Sequence, residues 1–532
     1  MIHGEMQDFS LTLDKFLSHA AKWHGYREVV TASGEGPSTR VTYAEMERRS
    51  RDISGLLQKL GIAQGDCVAT LAWNTQSHME AWYGIIGIGG VCHTLNPRLR
   101  GLQLGDMAAQ SSAKVLVVTA DCLALAQCIV EHAPSVKAVL VIDGDLDNYS
   151  WGEDLPPLSV LNADGGSDAN GEAPKWGEFD ETAPCGLCFT SGTTGSPKGV
   201  TYTHRSSFLH TMRALQVDVM GPSRNDNILA MVPMFHANAW GLLYSVPAVG
   251  AKLVLPARQA SGAEIARLIM EEDITIAVGV PTLWVGLLEH VEAENIRLPS
   301  LKRILVGGAS MPAELMRRLE DRLDVIVQTS WGMTELSPVG TVASQMDHQR
   351  SASRNGRPDV GLDLLITDSS GQALPQQRNV EGHLRVRGTA VVERYFGHEE
   401  AATDKDGWFA TGDLASIDDE GNLSITGRSK ELIKSGGEWI NPAEIEHRVC
   451  SIKDVSMAAV IGIAHEKWGE RPALFVELSN GSAISNEGLL APLKDAVESW
   501  WIPETIVRLD KMPLAPTGKI DKLKLKADFD GA

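Results

Sequence analysis

The sequence predicts an α/β fold in more than one domain, and three observations carry that prediction. The chain has 532 residues, short apolar strands alternate with helix-like stretches over most of its length, and the alternation gives way near Arg357 to short strands joined by polar turns. At roughly 150 residues per domain the length suits about three to four domains or subdomains. The expected architecture is a large N-terminal domain over 1–428 of parallel sheets flanked by helices, containing a small β-barrel-like subdomain at about 357–428, followed by a small α+β C-terminal domain over 430–532.

Each element has a local reason. Thr42-Tyr-Ala-Glu45 is a capping box, and Met46, Ile53, Leu56, Leu57 and Leu60 follow at helical spacing, so a helix runs from there to just before Gly61. Strands are expected at 68–72, 115–118 and 139–142, with a helix through Trp82 and Ile86. Residues 162–184 are rich in turn formers and acids and read as a surface connection. Five apolar runs, 228–232, 253–255, 276–278, 304–306 and 325–327, are separated by stretches able to form crossover helices. Right-handed crossovers place them in one parallel sheet, with a ligand beyond their carboxyl ends. Strands at 383–387 and 423–426 belong to the β-rich subdomain, and the tail adds strands at 458–461 and 473–478 with a helix near 489–499.

Composition excludes several functions. Forty-eight basic against 68 acidic side chains leave a net charge of −20, which disfavours nucleic acid or an anionic bilayer as a partner. No run reaches the roughly 18 apolar residues of a membrane span, and the N-terminus has no basic segment leading into an apolar one, so the expected location is the cytoplasm. Seven cysteines are too few, and odd in number, for a disulfide framework. Cys185-Gly-Leu-Cys188 has the spacing of a metal or redox pair, but no second pair accompanies it and its apolar neighbours read as a buried strand.

The strongest chemical signal is Phe189-Thr-Ser-Gly-Thr-Thr-Gly-Ser-Pro-Lys-Gly199, where a strand runs into hydroxyls, glycines and one lysine. Glycines let backbone N–H groups converge on an anion, the hydroxyls add donors and Lys198 supplies charge, which suits a phosphate chain. The spacing is not that of a Walker A loop.

With Gln328-Thr-Ser-Trp-Gly-Met-Thr-Glu335, Tyr395, Gly407-Trp-Phe-Ala-Thr-Gly-Asp413, Gly427-Arg-Ser-Lys430, Ile433-Lys-Ser-Gly-Gly437, Pro442-Ala-Glu-Ile-Glu446 and Pro516-Thr-Gly-Lys519, that loop resembles the ordered motifs of the adenylate-forming superfamily of acyl-CoA synthetases, luciferases and adenylation domains. The resemblance implies ATP, Mg²⁺ and CoA as cofactor and co-substrates. It assigns Thr190, Ser191, Gly192, Thr193, Thr194, Gly195 and Lys198 to the phosphates; Gly308, Ala309, Ser310, Trp331, Gly332 and Met333 to the adenine side, with Trp331 stacking on the base; and Asp413 and Arg428 to the ribose. Thr334 and Glu335 fall near the α-phosphate, and Glu335 is the expected Mg²⁺ ligand, a hard oxygen for a hard cation. Lys519 is the expected catalytic lysine, carried on a mobile C-terminal domain that turns about a hinge at Lys430. In the second conformation Lys434, Ser435, Gly436 and Gly437 would form the pantetheine passage, the glycines allowing close backbone approach.

The acid is expected to lie near His236, Asn238, Trp240, the stretch Gly279-Val-Pro281, Gly307 and Met333, with His236 also a candidate catalytic residue. Amino-acid-activating relatives carry an aspartate where this chain has His236, so an amino acid substrate is disfavoured, and the bulk of Trp240 points to short or medium acids. The segments 8–24 and Phe235-His-Ala-Asn-Ala-Trp240-Gly are most similar to 3-methylmercaptopropionate–CoA ligases and short- and medium-chain fatty acyl-CoA ligases. The implied reaction joins a carboxylic acid to CoA through an acyl adenylate, in an assembly expected to be a homodimer. Two competing readings are transfer to a carrier-protein thiol and a non-catalytic nucleotide-binding scaffold. The retention of Lys198, Glu335, Asp413, Arg428 and Lys519 together argues against the scaffold.

Overall fold

A computed structural model describes residues 5–530, apart from 8, 35–36, 145, 147–148, 162–173, 191–196, 437, 480–481, 495 and 516–517. The five apolar runs read from the sequence form adjacent parallel strands, Ile326–Gly332, Arg303–Val306, Ile276–Gly279, Asn227–Ala230 and Lys252–Leu255, in that spatial order. Their eight-stranded sheet continues through Glu28–Thr31 and closes on antiparallel edges, Thr39–Thr42 on one side and Val339–Val342 on the other. A seven-stranded sheet carries Ala138–Ile142, Val115–Thr119, Cys67–Leu71, Val91–Leu95 and Pro184–Phe189 in parallel, with Gly199–Thr203 turning back antiparallel at its edge.

The period-2 alternation of strand side chains sorts them into layers. Val29, Ile228 and Leu253 face a central core shared with Val68, Cys92 and Val115 of the other sheet, and helices bearing Leu17, Met46, Trp82 and Leu243 fill the space between. Val30, Leu229 and Val254 face outward onto the helices Gly262–Glu271, Pro281–Ala293 and Ala313–Leu323. The seven-stranded sheet is covered in the same way by Gly101–Gln110 and Leu123–His132. The expected capping box is present, with the Thr42 hydroxyl accepting from Glu45 N and the Glu45 carboxylate accepting from Thr42 N, an arrangement that contributes about 1 kcal/mol to the helix Tyr43–Lys59.

The β-rich subdomain is a four-stranded antiparallel sheet ending at Leu423–Arg428, and the small C-terminal domain begins with Ile433–Ser435 and Glu438–Ile440. Only the turn Ser429–Glu431 and Leu432 separate the two sheets. One expected element differs. In place of a helix over 489–499 there is a short helix, Asn486–Leu490, followed by the single turns Ala491–Leu493 and Ser499–Trp501. Pro492 is the reason, since it has no N–H to donate and its ring excludes a continuing α-helix. Cys185 and Cys188 are free and lie buried in the strand Pro184–Phe189.

Candidate active site

The phosphate-type loop is the connection of the antiparallel edge hairpin. Its base is closed by Thr190 N donating to Lys198 O at 2.9 Å and Lys198 N donating to Thr190 Oγ1 at 3.2 Å. Ser191, Gly192, Thr193, Thr194 and Gly195 lie outside the described residues. Lys198 is exposed, with Nζ 4.5 Å from the centre of the Tyr395 ring. The Tyr395 hydroxyl donates to Glu335 Oε1 at 2.9 Å. Glu335 is 8 % exposed, in the single turn Thr334–Leu336 after the strand Ile326–Gly332. The Thr334 carbonyl accepts from the Tyr202 hydroxyl at 2.8 Å, tying this turn to the hairpin strand Gly199–Thr203.

A second cluster surrounds Asp413, which is 1 % exposed. Its Oδ2 accepts from Trp331 Nε1 at 2.9 Å and its Oδ1 lies 2.8 Å from Arg428 Nε, because the strands carrying Asp413 and Arg428 pair at this register. Burial pushes the Asp413 carboxyl above the usual aspartate range, while Arg428, the Trp331 N–H and Lys519 act against that push. Trp331 is itself buried, packed on Gly340, and Gly332 and Met333 continue past the Pro338 carbonyl, which accepts from Met333 N at 2.9 Å.

The third cluster rests on an unusual backbone. Ala237, Asn238, Ala239, Trp240 and Gly241 have φ of 45°, 53°, 48°, 56° and 77°, a left-handed turn of five residues. Such a conformation costs a residue with a Cβ roughly 1–2 kcal/mol. Backbone bonds from His236 N and Ala239 N to Pro233 O, both 3.2 Å, brace it. The turn aims Trp240 at Gly307 and Gly308, whose added Cβ atoms would stand 2.9 Å from Cη2 and 3.8 Å from Cζ2 of the indole. Asn238 is buried, with its amide against Gly186 of the sheet. Ala309 and Ser310 are exposed beside this space.

Lys519 enters the same space from the C-terminal domain. Its Cε would lie 3.9 Å from a Cβ at Gly308, and Thr282 Oγ1 donates to Gly518 O at 3.4 Å. Burial pulls the Lys519 ammonium below the usual lysine range and Arg428 adds to the pull, while Asp413, Glu431 and Glu335 work the other way. Burial, with Lys519 nearby, also takes the His236 imidazole down to about 4. The structure thus gathers Lys198, Glu335, Asp413, Arg428, His236, Trp240, Gly307, Gly308 and Lys519. It does not bring Ser435 and Gly436 to them, and Gly437 lies outside the described residues. Ser435 is buried in the small domain, and Gly436 N donates to Trp468 O at 2.8 Å. Lys434 likewise lies 5.4 Å above the Trp439 ring of the same domain. Lys430 sits in the turn between the two sheets.

Sequence reasoning gave Tyr395 no role, placed Val280 only with the acid, and did not find that Val280 and Thr282 receive Gly518. Nothing local marks the latter two, because their partner is more than two hundred residues away, at a separation of 236 for Thr282.

Strand ends, a phosphate-type hairpin loop and a lysine lent by a second domain converge here, and together they define a two-domain adenylate-forming fold. Residues 16–396 match the AMP-binding enzyme family and residues 444–519 match the AMP-binding enzyme C-terminal domain. The chain is 39% identical over 538 residues to the medium-chain-fatty-acid–CoA ligase of Ectopseudomonas oleovorans, covering 99% of this chain and 97% of that protein. It is 37% identical over 541 residues to the 3-methylmercaptopropionyl-CoA ligase of Ruegeria lacuscaerulensis, covering 99% of each. The solved structure of o-succinylbenzoate CoA synthetase from Bacillus subtilis, in complex with its acyl-adenylate intermediate, aligns with a TM-score of 0.79 at 26% identity over 96% of this chain and 97% of that one. The protein belongs to the AMP-binding enzyme family. Among the described residues, no helix is long and apolar enough to cross a membrane.

Proposed function

We propose that this protein is an AMP-forming carboxylate–CoA ligase: acid, ATP and CoA give acyl-CoA, AMP and pyrophosphate through an acyl adenylate. The proposed acids are 3-methylmercaptopropionate and short- to medium-chain fatty acids. The observation that carries the reading is the arrival of Lys519, from the C-terminal domain, in the space bounded by Trp240 and Gly308 with Asp413 and Glu335 nearby.

The residues have the chemistry for each step. Asp413 is a fixed acceptor for the ribose hydroxyls, oriented from two sides by Trp331 and Arg428. Trp331 through Met333 and Gly308 through Ser310 flank the adenine, and Lys198 with the hydroxyl-rich loop takes the outer phosphates. Glu335 fits a magnesium ion. It is a buried carboxylate whose Oε1 is used by Tyr395, and no group of three metal-binding side chains exists among the described residues, so phosphate and water oxygens would complete the shell. When bound, that ion neutralises charge on the phosphates. In this reading Lys519 meets the incoming carboxylate and the α-phosphate, and its ammonium stabilises the negative charge that builds there as pyrophosphate departs. His236, neutral with its imidazole near 4, serves as a hydrogen-bonding wall for the acid. Trp240 closes the far end of the acyl space.

The second half-reaction needs Lys519 withdrawn and Ser435–Gly437 brought up, so the small domain turns about Lys430, the only stretch between the two sheets being the turn and Leu432. The same turn supports domain boundaries at 428 and 430. Seven free cysteines, five of them buried, support residence in a reducing compartment.

The test is a pyrophosphate-release panel over C2 to C12 acids, amino acids and 3-methylmercaptopropionate, with and without CoA. Acid-dependent release with butyrate, octanoate or the thioether acid, and thioester only when CoA is present, is the expected outcome. Release that needs an amino acid, or none with any acid, overturns the proposal.

A further inference from the structure

The segment 390–396 crosses between the turn that carries Glu335 and the hairpin strand that follows Lys198, and it is bonded to both. Ser337 Oγ donates to Ala390 O at 3.0 Å, Val392 N donates to Glu335 O at 2.8 Å, and Phe396 N donates to Gly199 O at 2.8 Å. Gly199 immediately follows Lys198, so this short strap fixes the end of the phosphate loop relative to the turn that carries Glu335.

Tyr395 repeats the connection with its side chain. Its hydroxyl donates to Glu335 Oε1 at 2.9 Å while the face of its ring lies 4.5 Å from Lys198 Nζ. Burial and the adjoining Glu335 carboxylate push the phenol well above the usual tyrosine range, so it stays a protonated donor. With Oε1 engaged and no partner for Oε2 among the described residues, Glu335 Oε2 is the oxygen left to a ligand. The ring attracts the ammonium through its quadrupole, and it offers Lys198 a resting place that is not the Glu335 carboxylate. A cation and a carboxylate left free to meet would neutralise each other, and neither would then serve a metal-bound polyphosphate.

We propose that Tyr395 is a positioning residue that holds Lys198 and Glu335 in register for one metal-bound triphosphate and keeps the two from pairing with each other. The inference rests on the ligase reading of the same site.

The experiment measures equilibrium binding of ATP to the full chain by calorimetry, with and without Mg²⁺, beside acid-dependent ATP–pyrophosphate exchange as Mg²⁺ is varied. Tyr395→Phe keeps the ring but releases Glu335, so the gain in ATP affinity on adding Mg²⁺ should fall about tenfold, the typical size of a lost hydrogen bond to a charged group. Its binding of metal-free ATP should stay unchanged. Tyr395→Leu also removes the ring, and should weaken metal-free ATP binding about threefold. In a Glu335→Gln background, Tyr395→Phe should have no further effect on the Mg²⁺ dependence. An unaltered Mg²⁺ dependence in Tyr395→Phe, an equal loss for metal-free and metal-bound ATP, or additivity with Glu335→Gln overturns the proposal. A wild-type chain that neither binds ATP nor exchanges pyrophosphate overturns the ligase reading instead, so the two failures are distinguishable.

Discussion

Asp413 sits in the middle of an antiparallel strand, 1 % exposed, with both oxygens engaged by groups of its own domain. Lys519 reaches the same cleft on a loop from another domain, received at Gly518 by Val280 and Thr282. Asp413 costs desolvation, but the folding of a continuous sheet supports it. Lys519 is desolvated too, which disfavours its ammonium, and only the docking of the small domain holds it there. The contrast suits a reaction in two halves. Groups that hold a ligand present throughout can be fixed by the fold, while a group needed in one half must be held weakly enough to leave.

Removing the ammonium is the sharpest way to break that comparison. Lys519→Ala should lower acyl-adenylate formation by about 10²–10³-fold, the usual loss for a preorganised charge-stabilising donor. Thioester formation from supplied acyl adenylate should be nearly untouched. The two half-reactions are measured separately by pyrophosphate exchange and by CoA consumption, and parallel losses would falsify the assignment of Lys519 to one conformation.

The acyl end makes a second contrast, because there a rigid element does the selecting. With the Trp240 indole held against Gly307 by the left-handed turn, Trp240→Ala should favour longer acids and cost short ones affinity. Three newly buried methylenes are worth about 2 kcal/mol, or about thirtyfold in relative kcat/KM between octanoate and butyrate. A uniform drop for both acids together with a lower melting temperature would return Trp240 to a packing role.

These features were unequally legible in the sequence. The parallel strands stood out because helices cover both faces of each sheet, which demands unbroken apolar runs. Val91–Leu95 escaped notice because His93 and Thr94 interrupt its apolar pattern, although both are buried and the Ser111 hydroxyl meets His93 Nδ1 at 2.9 Å. The antiparallel edge Thr39–Thr42 is mostly polar and carries little periodic signal. The left-handed turn was invisible, since Ala-Asn-Ala-Trp offers no glycine before Gly241 to announce positive φ. Tyr395 stood within a motif, but its two partners, Glu335 and Lys198, lie far away in the chain, so its use emerges only from the folded arrangement.

The glycine end of the small domain offers a test in the opposite direction to Lys519. Gly436 has φ of +60°, and an added Cβ would stand 2.8 Å from Trp468 Cε3. A β-branched side chain there meets both a backbone penalty of about 1–2 kcal/mol and that contact. Gly436→Val should therefore slow CoA transfer about tenfold while sparing pyrophosphate exchange, because this hairpin stands apart from the adenylation cluster. Adenylate that accumulates without CoA consumption is the signature. A matching loss of exchange would place Gly436 in the first half-reaction.

The smallest expected effect is on pH dependence, and it separates two half-buried bases that share one space. His236, with its imidazole pushed down to about 4, is neutral from pH 6 to 8 and contributes no acid limb there. Lys519 works as a cation, and because burial lowers its affinity for the proton, raising the pH removes the charge earlier than for an ordinary lysine. Adenylation should accordingly gain less than about twofold as the pH is raised from 6, and its fall on the alkaline side should come earlier than an ordinary lysine would give. The transfer step, which makes no use of Lys519, should hold or rise over the same range, since a thiol becomes a better nucleophile as it ionises. His236→Asn should leave the shape of both profiles unaltered while lowering their height. An acid limb near pH 6.5 that vanishes in His236→Asn would show the imidazole titrating in the working enzyme, and would move His236 from the wall of the acid site to its proton chemistry.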